Sequence, residues 1–190
     1  MKIVTTSPSF SRHPLLISAI SALSKTVKLN SDGIRLKGQA LIDFIGDAEG
    51  IIIGLEKVDE ELLIQCPNLQ IVAKYGVGLD NIDLEACQKR GIAIGWSGGI
   101  NRLSVAEMVL GFMLTLSRNL FQTSLQLKEG TWNKSGGYQL TGKKVGIIGV
   151  GHIGKELIRL LEPFKCELLV NDVINQDKYY NEIGATEASK

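Results

Sequence analysis

The residues best placed to do chemistry are the glycines of Gly149-Val150-Gly151-His152-Ile153-Gly154 and an aspartate further on. The apolar run Lys144-Val145-Gly146-Ile147-Ile148 before them reads as a strand. The segment Lys155-Glu156-Leu157-Ile158-Arg159-Leu160-Leu161 after them is spaced like an amphipathic helix. A strand-to-helix turn of this kind presents unpaired backbone N–H groups at the start of a helix, where a phosphate binds. Gly149 permits the tight turn, Gly151 leaves room for a pyrophosphate against the main chain, and Gly154 lets the helix pack closely on the strand. A second strand, Cys166-Glu167-Leu168-Leu169-Val170-Asn171, ends in Asp172. A carboxylate there can accept both hydroxyls of an adenosine ribose and repels a 2'-phosphate, so the turn predicts a dinucleotide site that favours NAD over NADP. His152 serves this site through its backbone amide rather than its imidazole.

A second constellation is Lys74-Tyr75-Gly76-Val77-Gly78-Leu79-Asp80-Asn81-Ile82-Asp83, where one strand ends and a helix begins. Glycines beyond the carboxyl end of a parallel strand can turn bare N–H groups toward a carboxylate, which is what a small acid substrate requires. Asp83 is also placed to cap the helix that follows. The chain offers two histidines, His13 and His152, and three widely separated cysteines, Cys66, Cys87 and Cys166. The cysteines lack the paired spacing of a zinc or redox motif and read as buried reduced thiols.

The elements around these residues imply an α/β fold. Strands are expected at Lys2-Thr5, Thr26-Leu29, Gly50-Gly54, Gln70-Lys74 and Gly91-Ile94, with helices near Pro14-Leu23, Leu36-Ile45, Asp59-Cys66 and Leu84-Arg90. Continuous apolar strands such as Ile51-Ile52-Ile53 alternating with helices predict a parallel sheet covered on both faces. From Asn101 the pattern becomes one long helix, Ser104 to Lys128, with Ser104 and Glu107 as a capping box and Gly130 as its stop. Its apolar residues lie on more than one face, so one flank is expected to pack on its own domain and another on a dimer partner. The loop 131–142 then delivers the chain to the nucleotide strand. Two domains follow: residues 1–100, and a partial nucleotide-binding domain over 101–190.

A net charge of +1 over 190 residues carries no electrostatic footprint for nucleic acid or an anionic membrane. The N-terminus has no signal-peptide core, and the most apolar stretch, Val105 to Leu116, is too short to span a bilayer. A cytoplasmic protein is expected.

Taken together, Lys74-x-Gly76-x-Gly78-x-Asp80-Asn81-Ile82-Asp83, Asn101-x-x-Ser104-Val105-Ala106-Glu107, Gly130-x-Trp132 and Leu140-x-Gly142-Lys143-x-Val145-Gly146-Ile147-Ile148-Gly149-x-Gly151-x-Ile153-Gly154 resemble the D-isomer-specific 2-hydroxyacid dehydrogenases, nearest the phosphoglycerate dehydrogenase branch. The four motifs occur in family order across nearly the whole chain. The resemblance implies a flavodoxin-like substrate domain followed by a Rossmann NAD domain, and hydride transfer between NAD and a small 2-hydroxy acid. It implies that Lys74, Tyr75, Gly76, Val77 and Gly78 line the substrate carboxylate site and that Val105 approaches the nicotinamide. His152 and Ile153 meet the pyrophosphate through their backbone, and the long helix takes part in dimerisation.

Two departures accompany the resemblance. Trp96-Ser97-Gly98-Gly99-Ile100-Asn101 stands where the family reads Asn-x-Pro-Gly-x-Asn, which alters the lining beside the cleft. The family's catalytic arginine and its glutamate–histidine pair lie downstream of Lys190. The chain therefore reads as the N-terminal part of such an enzyme, with an incomplete Rossmann domain, no catalytic residue of its own and no activity alone. It also reads as a non-catalytic dimerising or regulatory module, or as one half of a split enzyme. With only the strand ending at Asp172 beside it, the other edge of Val145-Ile148 is expected to be unpaired, and a polar tail after Gly184 to be mobile.

Overall fold

The computed structural model describes residues 1–188, which divide into two compact units, Met1–Gly98 and the residues from Gly99 onward. The first contains β1 (Lys2–Thr5), α1 (Pro8–Ser11), α2 (Pro14–Leu23), β2 (Thr26–Leu29), α3 (Gly38–Ile45), β3 (Gly50–Ile53), α4 (Glu60–Gln65), β4 (Ile71–Lys74), α5 (Leu84–Lys89) and β5 (Ala93–Gly95), the expected alternation with an unforeseen α1 and with β5 starting two residues late. The five strands form one parallel sheet in the order β2-β1-β3-β4-β5. In this doubly wound order the chain reverses direction between β1 and β3, and a crevice opens beyond their carboxyl ends.

The sheet is held by apolar side chains in register. Val4 lies opposite Ile51 and Ile51 opposite Val72, and all three are fully or almost fully buried. Leu41, Ile45, Leu62, Leu63 and Cys87 from the flanking helices close over the same core. Asp59 and Asp83 cap α4 and α5: their carboxylates accept the Leu62 and Ala86 N–H groups at 3.0 and 2.8 Å, so the Asp83 cap expected from the sequence forms. A carboxylate at a helix N-terminus also opposes the positive end of the helix dipole.

The second unit contains α6 (Arg102–Ser117), α7 (Leu120–Lys128), β6 (Lys144–Ile148), α8 (His152–Leu161), β7 (Glu167–Asn171), α9 (Asp177–Ile183) and β8 (Thr186–Glu187). Its parallel sheet runs β6-β7-β8. The single long helix expected over Ser104 to Lys128 is two helices, bent by 64°. Asn119 at the break adopts a left-handed conformation (φ 52°), which asparagine tolerates better than most residues. Its amide donates to the Ser135 carbonyl at 3.1 Å, Arg118 Nε donates to the Gly136 carbonyl at 3.0 Å, and Tyr138 N–H donates to the Ser117 carbonyl at 2.8 Å. The loop after α7 thus takes up the Ser117 carbonyl, which a continuous helix would have bonded itself, and is tied to the break by the Arg118 and Asn119 side chains.

The capping box at Ser104 is also corrected. Gly99 turns the chain with φ +68°, and its carbonyl accepts the Arg102 N–H at 3.1 Å. The helix therefore starts a turn earlier, and Ser104 lies inside it rather than at its cap.

Nor is the tail structureless after Gly184. Thr186 and Glu187 pair with Leu169 and Val170, and the Ala188 N–H donates to the Val170 carbonyl at 2.8 Å. The last two residues of the expected tail lie outside the described residues. The open edge expected on β6 is present: among the described residues β6 pairs with β7 alone, and Ile148 is 92% exposed. No single helix among the described residues is long and apolar enough to cross a membrane.

Candidate functional site: a carboxylate cradle and a phosphate turn

In the first unit, three strand ends converge on a cavity of about 670 Å³. Ser7, Pro8 and Ser9 follow β1, Gly54, Leu55 and Glu56 follow β3, Lys74 ends β4, and Tyr75, Gly76, Val77 and Gly78 follow it; Arg35, Asp80 and Asn81 complete the lining. All five residues read from the sequence as substrate-binding therefore face one space, at the switch point of the sheet. Tyr75 N–H donates to the Ile53 carbonyl at 2.8 Å, continuing the ladder, whereas the N–H groups of Gly76, Val77 and Gly78 meet no acceptor among the described residues. Gly76, with φ +150°, occupies backbone space that other residues rarely enter. Three unpaired donors in succession along a cavity wall are the kind of group that an anion site uses.

Side chains fix this cradle. Lys74 Nζ donates to the Gly54 carbonyl at 2.6 Å and to Asn81 Oδ1, while Asn81 Nδ2 donates to the Glu56 carbonyl. An ammonium has three protons, so Lys74 keeps one for a ligand. Trp96 Nε1 donates to the Val77 carbonyl at 2.9 Å, holding the cradle from β5's far side. Tyr75 meets Phe10 edge to face, with ring centres 5.3 Å apart. Glu56 and Ser9 were not singled out for this site by sequence reasoning, and Asn81 stood in the Lys74–Asp83 constellation without a role of its own. The only signal at Glu56 and Ser9 was a position soon after a strand, which most loop residues share.

In the second unit the three glycines differ in the way dinucleotide binding requires. Gly149 has φ +90°, a Cβ on Gly154 would collide with the Gly149 carbonyl, and a Cβ on Gly151 would meet nothing within 4 Å. The first glycine makes the turn, the last packs helix on strand, and the middle one faces open space. The N–H groups of Gly151, His152 and Ile153 have no acceptor among the described residues, and they stand at the start of the ten-residue α8. The His152 ring lies over Gly99, away from a ligand role for the imidazole. Val105 lies half-buried in the first turn of α6, which packs on α8.

Asp172 is tied to this turn. It accepts the Val150 N–H at 2.6 Å, the Ile174 N–H at 3.0 Å and Gln176 Nε2 at 3.1 Å. The Ile174 and Val150 amides hold its carboxyl below the usual carboxylate range. A carboxylate has about four acceptor sites, so three are filled, and both ribose hydroxyls can be accepted only if Gln176 swings aside. Gln176, which also donates to the Val150 carbonyl at 3.0 Å, was missed by the sequence reading. Free amides, an open middle glycine and a strand-end acid together form a donor set that fits a dinucleotide.

Cys66 and Cys87 are buried and Cys166 is half-buried, all three as free thiols. Burial pushes the Cys66 and Cys87 thiols up, away from reactive thiolate.

The chain belongs to the D-isomer specific 2-hydroxyacid dehydrogenases: the profile of that family's catalytic domain matches residues 12–190. It is similar to a hydroxypyruvate reductase of Thermotoga maritima, with 32% identity over 84% of this chain and 53% of the relative. A D-3-phosphoglycerate dehydrogenase of Sus scrofa is 34% identical over 73% of this chain and 27% of the relative. The D-lactate dehydrogenase of Aquifex aeolicus, solved with NAD and lactic acid, superposes with a TM-score of 0.79 at 26% identity, covering 100% of this chain and 56% of that one. The chain thus spans about half, or less, of the length of these relatives.

Proposed function

We propose that this chain is the substrate-binding part and the first part of the NAD site of a D-2-hydroxyacid dehydrogenase, an enzyme that moves a hydride between NAD and a small 2-hydroxy acid. The observation that carries the reading is the Gly149–Gly154 turn, with its unpaired amides and its attached Asp172. Gly151, His152 and Ile153 bind the pyrophosphate through their N–H groups, Asp172 binds the adenosine ribose, and Val105 borders the nicotinamide. Bound NAD supplies the hydride chemistry. The cradle of Gly76, Val77 and Gly78, with the spare proton of Lys74, binds and orients the substrate carboxylate, and Tyr75 walls the cavity.

These 190 residues alone do not turn over substrate in this reading. General acid–base work on a carbonyl requires a titratable group within hydrogen-bond reach of the oxygen. His13 stands exposed at the start of α2, His152 lies over Gly99, and neither matches the family's acid–base position. We further propose a cytoplasmic homodimer. The free thiols support the location, and the exposed Met108, Phe112, Leu116, Leu120 and Phe121 of α6 and α7 support the association.

Calorimetric titration tests the reading. NADH is expected to bind more weakly than micromolar but at least about tenfold more tightly than NADPH, because a 2'-phosphate meets the Asp172 charge. Gly151→Val is expected to abolish binding while leaving the fold intact, since the open space at Gly151 belongs to the ligand. Equal affinity for the two nucleotides would remove the role assigned to Asp172.

A further inference from the structure

Besides the exposed Arg35 and Asp80, the cavity at the carboxyl ends of β1, β3 and β4 contains one charged group that the carboxylate cradle does not use. Glu56 lies in the loop after β3 and is only 8% exposed, yet it lines the cavity. Its Oε2 accepts the Gly54 N–H at 2.7 Å, and its Oε1 receives no hydrogen bond from the described residues. A carboxylate accepts hydrogen bonds only, so an Oε1 with no protein donor is free to accept one from a ligand in a cavity that Glu56 lines.

Gly54 joins Glu56 to the cradle. Its N–H goes to Glu56, and its carbonyl receives the Lys74 ammonium. One peptide unit thus links Lys74, beside the free amides of Gly76 to Gly78, to the buried Glu56 carboxylate, while the exposed Asp80 stands beside Gly78. A ligand whose carboxylate sits in the cradle shares its cavity with Glu56.

Resting on the carboxylate-cradle reading above, we infer that Glu56 is a specificity-determining residue, selecting 2-hydroxy or 2-oxo acids whose far end carries a hydroxyl and rejecting those whose far end is a phosphate or second carboxylate. A hydroxyl donates to the open Oε1. A second anion meets a like charge that cannot move into water, and rejection by such a charge is a common source of specificity. Arg35 also borders the cavity, but it is exposed, so its attraction for an anion is screened by solvent and salt in a way that the buried Glu56 is not.

The test uses the full chain, with amide chemical shifts and calorimetry, and three ligands: D-lactate, D-glycerate and 3-phospho-D-glycerate. D-lactate is expected to move the Gly76, Val77 and Gly78 amides, and D-glycerate to bind at least about tenfold more tightly than 3-phospho-D-glycerate. Glu56→Gln keeps the size and an acceptor for Gly54 but removes the charge, and is expected to bring that ratio close to one. If no ligand moves those amides, the cradle reading fails and this inference with it. If D-lactate moves them but the wild-type chain prefers the phosphorylated acid, or the ratio survives in a folded Glu56→Gln chain, the cradle stands and the role of Glu56 is overturned. The wild-type ratio decides the matter even where the variant does not fold.

Discussion

The two sheets of this protein are built from similar apolar strands and end in different degrees of closure. β3 of the first unit, Gly50–Ile53, has neighbours on both edges and is buried on both faces but for a half-exposed Ile52. β6 of the second unit, Lys144–Ile148, pairs on one edge and alternates buried Val145 and Ile147 with exposed Gly146 and Ile148. A central strand of a doubly wound sheet is covered on both sides, so the alternation in β6 is the burial pattern of a sheet covered on one face. Apolar composition identifies a strand, and its neighbours decide how much of that composition is used.

The sharpest way to break this comparison is a pair of strand substitutions, one buried and one exposed. Ile51→Ala deletes buried methyl groups between Val4 and Val72 and is expected to cost about 2–5 kcal/mol. Ile148→Thr removes an exposed side chain and is expected to change stability by no more than about 0.5 kcal/mol. Denaturant titration of the two variants against the parent chain measures both. Equal losses would mean that the face of β6 carrying Ile148 is covered in solution.

A smaller effect should separate the two flanks of α6. Met113 packs partly against the core of the second unit, whereas Phe112 and Leu116 are exposed by 60% and 76%. Phe112→Glu and Leu116→Glu are expected to shift a dimer toward monomer in light scattering with little change in the melt, and Met113→Glu to lower the melt instead. A parent chain that is monomeric at tens of micromolar would end the proposal of a dimer on this face.

The smallest expected effect is a titration. The Ile174 and Val150 amides depress the Asp172 carboxyl, so its ionised form persists below the ordinary value of 3.8. Because the folded value lies below the unfolded one, its hold on the glycine turn is fully present above about 3.8 and is lost as pH falls through the depressed value. A carboxyl-carbon NMR titration is expected to give a midpoint under 3.8. A midpoint at or above 3.8 would mean that the bonds from Ile174 and Val150 do not persist in solution.

Much of this arrangement could be read along the chain, because it depends on neighbours in sequence. β1 and β2 begin and end where the sequence pattern placed them, at Lys2–Thr5 and Thr26–Leu29, and the Asp83 cap follows from a carboxylate three residues before the amide it accepts. The glycine turn was legible for the same reason: strand, turn and helix are contiguous, and each glycine answers a local demand of φ, packing or open space. The carboxylate cradle was found as a string of residues that includes Lys74 and Asn81, without the contacts by which they hold it.

What the chain alone did not determine was every feature made by residues far apart in sequence. Gln176 reaches back 26 positions to Val150, Lys74 reaches back 20 to Gly54, and Trp96 reaches back 19 to Val77. The break between α6 and α7 belongs to the same class, since the carbonyls that receive Arg118 and Asn119 lie beyond α7, at Gly136 and Ser135. Periodicity and propensity register which face of an element is apolar. They do not register which distant donor will satisfy a particular acceptor, because that choice is made only when the sheet has brought separate strand ends to one side and excluded the water that would otherwise have served them.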